Sequence, residues 1–81
     1  MALNSLKKII KYRSTYSGTK ETDILYKKYF INNLSNFNEN ELNLLKSVFD
    51  IYSDSEIYDI LTNKTQVIAR FKNLFDKISN I

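Results

Sequence analysis

These 81 residues contain no cysteine, histidine, proline or tryptophan, and only one glycine. Each absence excludes something. Without cysteine, neither a disulfide nor a thiolate metal site can staple the chain, so its stability has to come from packing. Without histidine as well, the usual general base, the commonest metal ligand and the best side-chain nucleophile are all missing. No constellation of carboxylates and lysines stands out to replace them, and the inventory points to an interaction protein rather than an enzyme, with no catalytic, cofactor or metal residues to name. No apolar run approaches the roughly 20 residues of a membrane span, and no signal-peptide core is present. The basic, amphipathic start, MALNSLKKIIKYRS, has some features of a targeting segment. It uses lysine more than arginine and runs straight into the glycine region, so it reads as the first helix of a cytoplasmic protein.

What is present favours helices. The chain is 43% apolar and 14% aromatic, enough large side chains for one core, though a domain of this size buries only about 60% of its unfolded surface. A single helical domain over residues 1–81 is expected. Apolar spacing predicts a first helix over residues 4–16 with Leu6, Ile9, Ile10, Arg13 and Tyr16 near one stripe. A second, over 20–34, carries Ile24, Leu25, Tyr26, Tyr29, Phe30, Ile31 and Leu34 on more than one stripe, as a central helix would. Asn38 and Glu41 form a capping-box pattern for a third helix with Leu42, Leu45, Val48, Phe49 and Tyr52, and Phe37 with Leu42 are spaced as a hydrophobic staple. Ser53 or Asp54 with Glu56 repeats the device for a short fourth helix. After TNKT comes a fifth, with Val67, Ile68, Phe71, Leu74, Phe75 and Ile78. The expected architecture is an all-α bundle of five helices with short connections. Its core should hold Ile9, Ile10, Ile24, Leu25, Leu42, Leu45, Phe49, Leu61, Phe71 and Phe75.

Charge is uneven. Residues 1–28 hold seven lysines and arginines against Glu21 and Asp23, whereas the rest holds five basic and seven acidic residues. A basic first third points to an acidic partner or to a solvated face. The lone glycine, Gly18, fits the position just past a helix end where the backbone turns left-handed. Thr19 then caps the second helix, with Glu21 and Asp23 in its first turn against the positive end of the dipole. A glycine there also lets another backbone or a cofactor approach closely.

The stretch YRSTYSGTKETDILYKKYF resembles the succinate dehydrogenase assembly factor family, whose signature is an arginine-rich run, Arg-Gly, two variable residues, Glu, one variable residue and Asp, then a hydrophobic helix. Tyr12, Arg13 and Ser14 match the lead-in, Gly18, Glu21 and Asp23 match the glycine and both acids, and Leu25 and Phe30 fit the helix. Asp54, Glu56, Ile57 and Leu61 match the family's second half, and together the resemblance covers roughly residues 6–62. The chain departs from it at Ser17, where the family has arginine, at Thr15 and Tyr16, at Ile60 for a common tryptophan and at Ser55 for a common proline.

The resemblance implies a five-helix, chaperone-like assembly factor that is not an enzyme. It would bind the flavoprotein subunit of succinate dehydrogenase, or of fumarate reductase, and promote covalent attachment of FAD to a histidine of that subunit. Arg13, Ser17, Gly18, Glu21 and Asp23 would form the partner-binding surface. The factor itself would hold no cofactor, bind no nucleic acid, insert into no membrane and be monomeric when free. It would work in the cytoplasm of a bacterium or the mitochondrial matrix of a eukaryote. The residues alone leave open a small basic helical domain that binds nucleic acid or protein; against nucleic acid, no helix is studded with Arg, Asn and Gln to read base edges.

Overall fold

The structure, a computed structural model, describes residues 3–15 and 18–80. Five α-helices follow one another: α1 Leu3–Thr15, α2 Lys20–Tyr29, α3 Glu39–Ile51, α4 Asp54–Leu61 and α5 Lys72–Ser79. Two 3-10 turns, Ile31–Asn36 and Ala69–Phe71, sit before α3 and α5, and there is no strand among the described residues. This is the all-α, five-helix architecture the periodicity predicts.

The helix starts follow side-chain chemistry. Both halves of each capping box form. Asn38 Oδ1 accepts from the Glu41 N–H at 2.8 Å while Glu41 Oε1 accepts from the Asn38 N–H at 2.8 Å. At α4 the cap is Ser53 rather than Asp54, with the reciprocal bonds at 3.2 and 3.0 Å. These bonds satisfy amide donors that a helix start would otherwise leave unpaired.

The ends are less predictable. The second helix, expected to reach residue 34, gives way at Tyr29, where the buried Asn33 turns back and its side-chain amide donates to the Lys28 carbonyl at 2.8 Å. The fifth begins later than its spacing implies, because residues 66–68 lie outside any helix. At the end of α4, Asn63 takes the left-handed conformation at φ 62°, and Lys64 and Asn63 donate back to the carbonyls of Asp59 and Ile60 at 2.8 and 3.1 Å. Asparagine thus fills the place that glycine usually takes in such a helix end.

Packing selects a narrower stripe in α1 and α2 than the sequence reading does. In α1 the buried side chains are Leu6, Ile10 and Ser14, each four residues apart; Ile9 is half-buried, Arg13 is exposed, and Tyr16 lies outside the described residues. In α2 the stripe runs Thr22, Tyr26, Phe30, so Ile24 falls on the opposite side and is 57% exposed. Ile24 is therefore not a core residue, and Leu25 and Leu61 are only half-buried. The places assigned to them go to Leu6, Tyr26, Phe30, Ile57 and Ile78, all essentially buried. Helix α2 packs on α1 and α4, while α1 and α5 pack on α3. Lys77 of α5 closes the bundle by donating to the Asn36 carbonyl at 2.8 Å and to Glu41 at 2.9 Å.

Candidate functional site

At the α1–α2 junction, Gly18 is exposed with φ +88°, a conformation that side chains strain to adopt, so the chain can reverse there. A Cβ added to it would meet nothing within 4 Å, so the approach from outside is open. Thr19 caps α2: its hydroxyl accepts from the Thr22 N–H at 3.3 Å and donates to the Thr22 hydroxyl at 2.7 Å. Glu21 and Asp23 occupy the first turn, Glu21 exposed and Asp23 half-buried. The Glu21 carboxylate forms no hydrogen bond or ion pair with any described residue. It lines a shallow groove with Thr19 and Thr22 on one side and Asp54, Ser55 and Tyr58 of α4 on the other.

Arg13 is turned elsewhere. Its Nη2 donates to the Phe49 carbonyl at 2.7 Å, its guanidinium lies over the Phe49 ring at 5.4 Å, and Nη1 reaches Asp50 at 3.5 Å. The Phe49 carbonyl is one of those the end of α3 leaves without a helical partner, so Arg13 caps α3 from a neighbouring helix. The exposed ion pair with Asp50 adds little to this.

Beneath the junction, the fully buried Tyr26 stacks on Phe30 at 5.2 Å, meets Phe49 edge-on at 5.5 Å, and donates its hydroxyl to Asp54 Oδ1 at 2.8 Å. Burial, reinforced by that bond to a carboxylate, pushes the Tyr26 phenol far above its ordinary range. It remains a neutral donor at every pH at which the protein is used. Arg13 and Tyr26 thus strap the junction to the α3–α4 corner.

Of the five residues the sequence singles out, Gly18, Glu21 and Asp23 share one end of α2. Arg13 is one turn below, docked on α3, and Ser17 lies outside the described residues. The sequence reading misses Tyr58 and the hydroxyl of Tyr26, and takes Asp54 only as a cap or a position of resemblance. A tyrosine in a core stripe was the available signal, since a buried phenol needs a partner. Chemically the surface offers hydroxyls, carboxylates and an open backbone. Among the described residues no three metal-ligating side chains gather.

Against known families, residues 8–81 match the model of Sdh5, described as the flavinator of succinate dehydrogenase. No curated protein and no solved structure gives a significant match.

Proposed function

The chain belongs to the Sdh5 family of succinate dehydrogenase flavinators, and from that membership we propose how its surface is used. The protein is an assembly factor that promotes covalent attachment of FAD to the flavoprotein subunit of succinate dehydrogenase. Our reading is that the α1–α2 junction, with Arg13, Ser17, Gly18, Glu21 and Asp23, docks on that subunit near its flavin. It holds the client in a geometry that favours the linkage. The flavoprotein of fumarate reductase is a second client of the same kind. This chain supplies position rather than chemistry, holds no flavin of its own, and is a monomer when free. It acts where the client matures, the cytoplasm of a bacterium or the mitochondrial matrix of a eukaryote.

The observation that carries the reading is the exposed Glu21 carboxylate, unpaired among the described residues, beside an exposed glycine with open space above it. Cap and turn duty alone makes modest demands. Glu21→Ala should cost no more than ~1 kcal/mol through the dipole, and Gly18→Ala about 1–2 kcal/mol through its left-handed backbone. The test measures flavin fluorescence in the client band alongside the melting temperature of each variant. Docking at this surface requires flavinylation to collapse while the protein stays folded, because a methyl group or a lost carboxylate at a close contact weakens the complex directly. Normal flavinylation by a folded Glu21→Ala protein would leave these residues as a helix cap.

A further inference from the structure

Much of the basic charge of α1 and α2 is left over once the fold and the junction are accounted for. Arg13 pairs with Asp50, and Lys28 lies over the ring of Tyr29 at 5.0 Å. Lys8, Lys11, Lys20 and Lys27 are exposed and form no ion pair with any described residue. Among them stand two large apolar side chains that the core leaves outside, Tyr12 at 66% and Ile24 at 57% exposure.

Helical spacing brings these groups together. Lys8 precedes Tyr12 by one turn and Lys11 adjoins it. Lys20 and Lys28 lie one turn either side of Ile24, with Lys27 beside them. Both clusters face away from the buried stripes Leu6–Ile10–Ser14 and Thr22–Tyr26–Phe30. Two acids flank Ile24: Glu21, which lines the groove toward α4, and the half-buried Asp23.

We propose that this outer surface of α1 and α2 adsorbs to an anionic lipid bilayer, with the lysines at the headgroups and Tyr12 and Ile24 entering the boundary beneath them. No helix among the described residues is long and apolar enough to cross a membrane, so the attachment is peripheral and reversible. Two features favour lipid over an acidic protein. The cations of α1 and α2 that form no ion pair with a described residue are all lysine, a hydrated point charge suited to a diffuse negative field, not the planar fork that pairs with a carboxylate. Lysine is also depleted from the cores of protein–protein interfaces.

The experiment is co-sedimentation of the full chain with vesicles of phosphatidylcholine containing phosphatidylglycerol, against pure phosphatidylcholine, at low and raised salt. Binding should need the anionic lipid and weaken with salt. It should drop about fivefold for each lysine charge removed in Lys8→Gln and Lys27→Gln, and fall again in Ile24→Ser. All three sites are exposed, so melting temperatures should hold. Equal binding to both vesicle types, or variants that bind as the parent does, would overturn the proposal. The end-point yield of client flavinylation in vesicle-free solution should be unchanged in these variants, since surface charge acts on the rate of encounter. A loss there, with vesicle binding unmoved, would make this face a protein interface and overturn the lipid assignment.

Discussion

Phe71 is fully buried, meets Tyr52 edge-on at 6.2 Å, and has no shell of water to fall back on if truncated. Phe71→Ala should cost roughly 3–5 kcal/mol through lost transfer energy and the cavity left behind, and Phe49→Ala about as much, since Phe49 also faces Tyr26, Phe30 and Arg13. That is much of the stability of a domain this small. Urea melts of both variants against Ile24→Ala check it, because the exposed Ile24 should cost no more than about 0.5 kcal/mol. Ser14 makes the opposite case. Its hydroxyl is buried without a partner among the described residues, so Ser14→Ala should leave the melting temperature unchanged or raise it, by removing a desolvated polar group. A clear drop would mean that the hydroxyl has a partner. The residue scale is also where the sequence misled most: Ile24 and Tyr26 are equally plausible core residues by composition, and only the direction of the stripe separates them.

The helix starts hold charge that folding has tuned. The Asn38 N–H, and after it Lys77, hold the Glu41 carboxyl below its usual value, and the backbone and hydroxyl of Ser53 do the same for Glu56. Both groups are depressed in the folded state. Their contribution is therefore present above the unfolded value near 4.5 and is lost as pH falls through the folded values. Melting temperature followed from neutral pH to about pH 3 should decline through that window. The Glu41→Gln, Glu56→Gln double variant should decline less, since Gln keeps the capping bond without the titration. The far end of α4 offers a different handle. Asn63 sits at φ 62°, where Asn63→Gly should be neutral or stabilise by several tenths of a kcal/mol and Asn63→Val should cost about 1–2 kcal/mol. Equal melting temperatures for the two would mean that the left-handed turn does not persist in solution. The capped starts of α2, α3 and α4 were legible because a cap needs only a local pattern three residues long. The end of α2 was not, because it depends on Asn33 adopting a turn that its neighbours permit.

Across the whole molecule, basic charge gathers in the first third and acid in the remainder. The chain folds to a radius of gyration of 11.5 Å, close to that of a globular protein of this length. If that asymmetry steers encounter with the client, raising salt should slow association more than it speeds dissociation. Stopped-flow mixing with the unflavinylated subunit would show it, and an unchanged association rate would remove steering from the account. Ser17→Arg, which restores the residue the family carries before the glycine, should maintain or tighten that binding. Weaker binding by a folded Ser17→Arg protein would show that this chain meets its client without that charge.

Helix content, both capping boxes, the Thr19 cap and the Gly18 turn were determined by the sequence itself, because each rests on groups within four residues of one another. The motif Gly18, Glu21 and Asp23 was readable through its resemblance to the family pattern. Tertiary structure alone decided that Arg13 caps α3 through the Phe49 carbonyl, 36 residues away, and that Tyr26 finds Asp54, 28 residues on. It alone set Asp54 and Tyr58 across a groove from Glu21. Those contacts form only when α1 and α2 close over the α3–α4 corner. That closure is driven by non-directional burial of apolar surface, which brings polar groups together without any local pattern to announce them.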